Sequence, residues 1–136
     1  MKNTTKTKSI DSINPTELKA LFSSVDWAAN LNEEDLYTAI LRSSHIALQF
    51  DEQSKLIGIA RSMDDGIYSA NIDIVVVHKD YHGKGVATKL LTDLLAQIKD
   101  VQYISVSPEI KNKGLYEHLG FEFMEDCILL QKININ

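Results

Sequence analysis

The sequence predicts a mixed α/β protein in which helices cover a central mixed sheet. The spacing of apolar residues is helical up to about Leu41, strand-like from His45 to Val77, and helical again afterwards. Such an alternation is typical of a sheet covered by helices. With 136 residues, 44% of them hydrophobic and 24% charged, the chain has the size and composition of one globular domain. We therefore expect residues 1–136 to form a single domain, with residues 1–8 disordered.

Two short amphipathic helices are predicted in the first third of the chain. Asn14, followed by Pro15, has the features of an N-cap, and the helix that it begins should run to about Val25. Asn32 precedes three acidic residues, which complement the positive end of a helix, so it should cap a second one. Ahead of both helices, a short strand is expected around Lys8 to Ile13.

Strands should dominate the middle of the chain. His45 to Phe50 and Leu56 to Met63 flank a polar stretch and are predicted to form a hairpin. The next strand, Tyr68 to Val77, is longer and rich in β-branched residues, which favour strands. After it the sequence predicts, in order, a helix from about Ala87 to Ile98, a strand from Val101 to Ser107, a short helix from Asn112 to Leu119, and two final strands, Phe121 to Glu125 and Ile128 to Ile133.

Charge and composition argue against several classes of function. The net charge of -5 argues against binding to a nucleic-acid backbone and suits a cationic or amine-bearing substrate. No apolar run reaches membrane-spanning length, and residues 1–9 do not resemble a signal peptide, so we expect a cytoplasmic protein without a membrane partner. Cys127 is the only cysteine, so we expect neither a disulfide nor a metal site. Cys127 itself should be a small buried apolar residue.

A glycine-bearing turn between the long strand and the next helix is the main candidate binding site. It runs from Tyr81 to Ala87 with the sequence YHGKGVA. Gly83 and Gly85 let the main chain come close to a phosphate, and the first turn of the helix offers N–H groups that have no partner within the helix. The alternative is that the glycines only permit a tight connection. The segment matches neither a P-loop nor a dinucleotide-binding fingerprint.

Two segments resemble motifs of the GCN5-related N-acetyltransferase family. Residues 75–91, VVVHKDYHGKGVATKLL, are similar to the family's acetyl-CoA motif, whose pattern is Q/RxxGxG/A, although His82 stands where Gln or Arg is usual. Residues 114–122, GLYEHLGFE, are similar to its later LYEKLGF block. The resemblance implies acetyl-CoA as the cosubstrate and a mostly antiparallel sheet of about six to seven strands flanked by about four helices.

The resemblance also implies which residues hold the coenzyme. In the family, the strand that ends in the three valines separates from its neighbour and binds the pantetheine arm through its main chain. Core packing is the other role open to these valines, and the hydroxyl of Thr88 is either a phosphate contact or an ordinary exposed group. The residues implied in coenzyme binding are Val75, Val76, Val77, His82, Gly83, Lys84, Gly85, Val86, Ala87, Thr88, Asn112 and Tyr116.

Direct transfer to an amine needs an acid for the departing thiolate and, in some enzymes, a base for the amine. Tyr116 occupies the tyrosine of the family's LYEKLGF block and is the candidate acid; the alternative is that it packs beside the neighbouring leucines. Asp73 is the candidate base, because alternation along its strand puts it on the face of Val75 and Val77. A salt bridge is the equal alternative for Asp73, and a water chain can replace a base altogether.

The histidines and the tryptophan are weaker candidates. His45 has a suitable pKa for a base but begins an apolar strand, where a lone histidine is more often structural. His78, His82 and His118 are expected in exposed junctions. Trp27, between the first two helices, is expected to cover part of the core, with the lining of an acceptor pocket as the alternative.

The interpretation that follows from the resemblance is an N-acetyltransferase that moves an acetyl group from acetyl-CoA to a primary amine by direct attack in a ternary complex. We expect a small-molecule amine, and residues 60–77 are similar to aralkylamine and serotonin-type acetyltransferases; a peptide or protein amine is the alternative. Two other interpretations are a noncatalytic acyl-CoA-binding regulatory module and an interaction scaffold. The apolar stretch Ile128 to Ile135 is either an edge that pairs two copies into a homodimer or an internal strand.

Overall fold

The structure, a computed structural model, describes residues 10–135. The segment 1–8, which was expected to be disordered, lies outside the described residues, as do the first two positions of the strand expected at Lys8 to Ile13. The chain divides into two compact units, of which the first ends at Val106 and the second begins at Ser107. A single domain over residues 1–136 stays a prediction.

The described residues form four α-helices and four β-strands. In chain order they are α1 (Pro15–Ser23), α2 (Glu33–Leu41), β1 (His45–Phe50), β2 (Leu56–Asp64), β3 (Ser69–Val77), α3 (Val86–Gln97), β4 (Tyr103–Val106) and α4 (Lys113–His118). Short 3-10 turns lie at Ile10–Ser12, Asp26–Ala28, Lys79–Tyr81 and Ile110–Asn112. Only α4 and the last of these turns belong to the second unit.

The first two helices begin at the asparagines that the sequence indicated. The Oδ1 of Asn14 accepts the main-chain N–H of Glu17 (2.7 Å), and the Oδ1 of Asn32 accepts that of Asp35 (3.0 Å). These bonds satisfy N–H groups that have no partner inside the helix. Both helix predictions are confirmed, although α1 ends at Ser23.

The strands form one sheet in the order β1-β2-β3-β4. β1 pairs antiparallel with β2 and β2 pairs antiparallel with β3, while β4 joins β3 in parallel. A mixed, mostly antiparallel sheet covered by helices confirms the predicted fold class, and the β1–β2 hairpin is confirmed with it. The described residues contain four strands, whereas about six to seven were expected.

Three expected strands do not form within residues 10–135. Residues 10–12 make a 3-10 turn, in which the N–H of Ile13 donates to the carbonyl of Ile10 (3.0 Å). Residues 121–125 and 128–133 belong to no ladder, and nearly all of their side chains are exposed. Their apolar composition suggested strands, but an extended segment becomes a strand only beside a neighbour that satisfies its main chain. Composition does not reveal that neighbour.

Two layers of apolar side chains enclose the sheet of the first unit. On one face, α1 and α2 contribute to a buried cluster in which Phe22 packs with Phe50 and Ile59. On the other face α3 packs over Gly58 through its fully buried side chain Leu90. The faces are opposite because neighbouring residues of a strand point to opposite sides. Burying a large apolar side chain contributes about 1.5–3 kcal/mol, so these layers fix the position of α3.

Gly58→Ala tests how closely α3 approaches the sheet. A Cβ at this position would lie 2.9 Å from Leu90 Cδ1 and 3.0 Å from Val86 Cγ1, so the helix or its side chains would have to shift. We expect the free energy of unfolding, measured by urea denaturation, to fall by about 1–3 kcal/mol. Gly114→Ala is the control, because a Cβ added there meets nothing within 4 Å. An equal loss in the two variants would contradict the close approach.

Candidate functional site

The junction between β3 and α3 contains two glycines in the left-handed region. Gly83 has a φ of 77° and Gly85 a φ of 80°, values that residues with a Cβ rarely adopt. A Cβ added at either position would meet nothing within 4 Å. The course of the main chain therefore requires these glycines, and the space beside them is open to a ligand.

The first turn of α3 presents main-chain donors to that open space. The first main-chain bond of the helix runs from the N–H of Lys89 to the carbonyl of Gly85 (3.2 Å), so the N–H groups of Val86, Ala87 and Thr88 have no acceptor within the helix. Gly85 is the N-cap and has no side chain that could accept from them. These donors lie at the positive end of the helix macrodipole, an arrangement that suits a phosphate group.

The side chain of His82 forms a hydrogen bond to the main chain within the junction. Its Nε2 lies 2.8 Å from the carbonyl oxygen of Val77, and because a carbonyl only accepts, Nε2 carries the proton and donates it. This bond joins the last residue of β3 to the residue before Gly83, while the ring stays exposed. His82 thus supports the main chain of the junction, and its predicted contact with a phosphate stays a prediction.

Tyr81, the residue before His82, connects the junction to the turn between β1 and β2. Its hydroxyl donates to Oδ2 of Asp51 (3.3 Å), and the ammonium of Lys84 lies 5.3 Å from the centre of its ring. The main-chain N–H of Lys55, which donates to the Asp51 carboxylate, is the main cause that lowers the pKa of Asp51. Burial raises the pKa of Tyr81, and the charge of Asp51 raises it further. The phenol therefore keeps the proton that it donates.

β3 carries a bulge at Asp73, and its pairing with β4 ends just before this residue. Ile72 and Ile74 pair with consecutive residues of β2, so Asp73 is one residue extra in the ladder. β4 pairs with β3 only from Ser69 to Ile72. Within the part of the first unit that the structure describes, no strand lies along the other side of residues 74–77, and β3 has a free edge there.

At the free edge the main-chain groups of two valines turn away from β2, and one of them, the carbonyl of Val77, accepts from His82. The N–H of His78 donates to the carbonyl of Ile57 in β2 (2.8 Å), and hydrogen bonding in an antiparallel pair alternates between the two sides of a strand. The N–H and C=O groups of Val75 and Val77 therefore point away from β2. The side chain of Val76 is buried in the core, so this stretch of β3 contributes to packing as well.

Asp73 forms an ion pair with Arg61. Nε (2.6 Å) and Nη2 (3.0 Å) of the guanidinium donate to the two carboxylate oxygens, and Nη1 donates to the carbonyl of Ala39 in α2 (3.2 Å). Alternation predicted Asp73 on the face of Val75 and Val77, and this prediction is wrong. The bulge breaks the alternation, so Asp73 lies with Arg61 on the α2 side of the sheet. Both carboxylate oxygens are engaged, which favours the salt-bridge alternative over a base.

His78 is buried, so the expectation of an exposed junction is wrong for this histidine. It begins the 3-10 turn after β3, and its Nδ1 accepts the N–H of Asp80 (3.1 Å). Burial lowers the pKa of His78, and the positive charge of Lys55 lowers it further. The neutral ring agrees with the hydrogen bond, since Nδ1 must be unprotonated to accept.

Three further side chains, those of His45, Trp27 and Cys127, have no contact with the junction among those found in the described residues. The Nδ1 of His45 lies 2.8 Å from Oδ2 of the buried Asp64 carboxylate, which fits the structural role expected for this histidine. Trp27 meets the buried Phe22 edge-on at 6.4 Å and so covers part of the core, while 60% of the residue stays exposed. Cys127 is exposed, and the expectation of a buried residue is wrong because no strand forms around it.

The second unit carries Asn112 and Tyr116. Tyr116 is buried in α4, and its ring meets Phe121 edge-on at 5.7 Å. Burial raises the pKa of its hydroxyl, so the phenol keeps its proton at neutral pH, as a proton donor must. Asn112 is exposed at the end of a 3-10 turn, where its N–H donates to the carbonyl of Glu109 (2.9 Å). His118 is exposed, as expected.

The described residues contain neither a grouped set of metal-ligand side chains nor a membrane-spanning helix. Between positions 10 and 135, no three His, Cys, Asp or Glu side chains are grouped as metal ligands. No helix in the described part of the chain is long and apolar enough to cross a membrane. The donors at the junction are main-chain N–H groups, hydroxyls, the His82 imidazole and the Lys84 ammonium.

The chain belongs to the GCN5-related N-acetyltransferase (GNAT) family. The family model described as "Acetyltransferase (GNAT) domain" matches residues 13–132, which include both segments that resemble the family's motifs. The match covers the described helices and strands and the junction between β3 and α3. It confirms the family that the resemblance indicated.

Proteins of similar sequence include named acetyltransferases. "Uncharacterized N-acetyltransferase ycf52" of Gracilaria tenuistipitata var. liui is 32% identical over 114 residues, which are 80% of this chain and 62% of that protein. "Histone acetyltransferase TAP1" of Glycine max is 30% identical over 118 residues, which are 78% of this chain and 51% of that protein. The chain thus spans between about half and two thirds of the length of these relatives.

Solved structures share the fold. A GNAT-family acetyltransferase from Streptococcus pneumoniae is 26% identical with a TM-score of 0.77, over 91% of this chain and 93% of that one. Glucosamine-6-phosphate N-acetyltransferase from Arabidopsis thaliana is 16% identical with a TM-score of 0.72, over 90% of this chain and 95% of that one. At 16% identity the likeness concerns the fold alone.

Sequence reasoning missed the partners in two contacts that shape the site, although a salt bridge was one alternative for Asp73. Asp51 and Tyr81 are 30 residues apart, and nothing in their spacing indicates that the β1–β2 turn reaches the junction. Arg61 and Asp73 had a detectable signal, since they carry opposite charges on strands predicted to be neighbours. The bulge that brings their side chains to one face has no signature in the residues around it.

The buried His78 should make stability depend on pH in a defined direction. Its folded pKa is below the unfolded value of 6.5, so the unfolded chain takes up the proton first and the folded state loses stability as pH falls below 6.5. We expect the free energy of unfolding in urea to fall more in the wild type than in His78→Asn between about pH 7.5 and pH 5.5. His118→Asn, at an exposed position, should behave like the wild type. An unaltered pH dependence in His78→Asn would contradict this role.

Proposed function

We propose that this protein is an N-acetyltransferase that transfers the acetyl group of acetyl-CoA to a primary amine. One observation supports the proposal above all others. Two left-handed glycines leave open space beside unpaired N–H groups at the start of α3, and this junction directly follows the free edge of β3. A diphosphate fits the first feature and an amide-bearing arm fits the second, and coenzyme A contains both. Membership of the GNAT family supports the same assignment.

The proposed coenzyme contacts in the first unit fall into two groups. The main-chain groups of Val75 and the N–H of Val77 would bind the amides of the pantetheine arm, and residues 82–88 would hold the diphosphate. Val76, also expected to bind the coenzyme, turns its main-chain groups toward β2 and is left out of this proposal. Val86 would take part through its N–H, because its side chain is buried, whereas Lys84 would add positive charge. The role of Tyr116 rests on the LYEKLGF-like block, and that of Asn112 on the resemblance to the family alone.

Acetyl-CoA supplies an activated acetyl group, and the groups of the protein handle orientation and protons. We propose Tyr116 as the donor of a proton to the departing thiolate, supported by its place in the LYEKLGF-like block. Its raised pKa means that the phenol still carries this proton at neutral pH. The N–H groups on the free edge of β3 would donate to the thioester oxygen as negative charge develops there. Because Arg61 engages both oxygens of Asp73, we propose that the amine loses its proton to water.

A small-molecule amine is the proposed acceptor. The net charge of -5 would favour the approach of a cation. A protein amine is the second candidate, because one relative is named a histone acetyltransferase. A cytoplasmic location and a homodimer stay predictions, and another relative, from Arabidopsis thaliana, is named as chloroplastic.

Calorimetric titration with acetyl-CoA, followed by a thiol-release assay with a panel of amines, tests this function. Binding together with thiol release for one class of amine would support an acetyltransferase and identify its acceptor class. Binding without release from small amines and from peptides would favour the noncatalytic acyl-CoA-binding module. A protein that binds no acetyl-CoA would overturn the proposal.

Gly85→Glu should abolish binding of coenzyme A. The glutamate would put a negative charge at the proposed phosphate position and strain a residue with a φ of 80°. We expect the dissociation constant, measured by calorimetry, to rise roughly a hundredfold or more. Gly66→Glu is a matched control, since Gly66 has a φ of 79° and equally open surroundings in the turn between β2 and β3. Wild-type affinity in Gly85→Glu would contradict the phosphate site.

Tyr116→Phe should lower turnover by about 100-fold or more without weakening acetyl-CoA binding, if the hydroxyl is the acid. Since burial raises the pKa of Tyr116, the phenol stays protonated through the neutral range, and kcat should show no loss from this group between about pH 6 and pH 8. The measurement is kcat against pH in the wild type and the variant. Tyr103→Phe, at a 66% exposed tyrosine, is the control. Unchanged turnover in Tyr116→Phe would assign the ring to packing.

A further inference from the structure

We propose that Asp51 and Tyr81 are positioning residues for the phosphate-binding junction: they hold it in the shape that binds coenzyme A, without touching the coenzyme. This inference rests on the proposed function. It concerns the contact between the β1–β2 turn and the residues that precede Gly83.

Asp51 is the fixed end of this contact. Its Oδ1 accepts the main-chain N–H groups of Gln53 and Lys55 (2.9 Å each), and its own N–H donates to the carbonyl of Lys55 (2.9 Å). The residue is 8% exposed. The two bonds to Oδ1 hold the carboxylate in one orientation, and the main-chain bond holds the turn itself. Oδ2 is thereby left for a partner outside the turn.

Tyr81 is the partner, and it belongs to the junction. Its hydroxyl donates to Oδ2 of Asp51 (3.3 Å), and its main-chain N–H donates to the carbonyl of His78 (2.8 Å). The ring lies edge-on to His78 at 6.1 Å and under the ammonium of Lys84 at 5.3 Å. One side chain therefore joins the turn between β1 and β2, the buried start of the 3-10 turn, and the cation of the junction.

The junction needs such a support because its two glycines are conformationally permissive. Gly83 and Gly85 meet no neighbour where a Cβ would be, so their surroundings do not restrict them. A loop that is ordered only on binding loses affinity to the entropy of ordering, whereas a loop already held in shape does not. His82 is restrained by its hydrogen bond to the carbonyl of Val77, and the neighbouring Tyr81 by its hydrogen bond to Asp51.

A positioning role and a purely structural role predict different measurements. A variant that only folds less well has fewer competent molecules, so calorimetry gives a lower binding stoichiometry with an unchanged dissociation constant. A variant whose junction is less ordered has full stoichiometry and a raised dissociation constant. Once saturated with acetyl-CoA it should keep the wild-type kcat, because neither residue touches the reacting atoms.

The experiment is a calorimetric titration of coenzyme A into the full chain, as wild type, Tyr81→Phe and Asp51→Asn. Tyr81→Phe keeps the ring under Lys84 and removes only the hydroxyl. We expect its dissociation constant to rise about three- to tenfold, the change that follows from losing one hydrogen bond. Asp51→Asn should change it in the same direction, and adding Asp51→Asn to Tyr81→Phe should cause no further loss, since Asp51 acts through that hydroxyl. Tyr68→Phe, at a 64% exposed tyrosine, is the control.

The outcomes separate this inference from the function on which it rests. A wild type that binds no coenzyme A overturns the proposed function, and this inference with it. A wild type that binds, together with a Tyr81→Phe variant whose dissociation constant is unchanged, overturns the positioning role alone. A lowered stoichiometry at unchanged affinity, or a lowered kcat at saturation, would also overturn it.

Discussion

The turn from β3 into α3 is the constraint on which the rest of the structure depends. The helix must begin close to the sheet, over Gly58, and two left-handed glycines let the chain reach that position directly from the end of the strand. The same geometry has a chemical consequence. A glycine N-cap offers no side-chain oxygen, so the N–H groups of the first helical turn stay available to an anion. Packing of α3 and the proposed binding of a phosphate thus use one arrangement of the main chain.

The surroundings of this turn stabilise it from several elements. The bulge at Asp73 separates the paired part of β3 from its free edge, and Arg61 ties that bulge to the end of α2. His82 fastens the junction to Val77, and Tyr81 fastens it to the β1–β2 turn. A large flexible ligand loses much conformational entropy when it binds. A site that is already ordered loses little further entropy, so its affinity is higher than that of a site that orders only on binding.

The elements that local rules specify could be predicted from the sequence, whereas those that depend on distant partners could not. Asparagine caps fixed the starts of α1 and α2, and the two glycines with the helix after them marked the junction. The final strands were predicted from apolar composition alone, and residues 121–135 form none. At the site, the bulge put Asp73 beside Arg61, and a contact spanning 30 residues joined Asp51 to Tyr81. Neither follows from alternation or spacing, because both depend on how strands and turns meet in space.

The most direct test of the central claim is a two-dimensional NMR titration of 15N-labelled protein with coenzyme A, followed at the glycine amides. If the coenzyme's diphosphate binds at the junction, the amide resonances of Gly83 and Gly85 should shift and saturate together with those of Val75 and Val77. The resonance of Gly66, which has a similar φ in a different turn, should stay in place. The account would be contradicted if the resonances of Gly83 and Gly85 stayed in place while those of other residues shifted. It would also be contradicted if millimolar coenzyme A shifted no resonance at all.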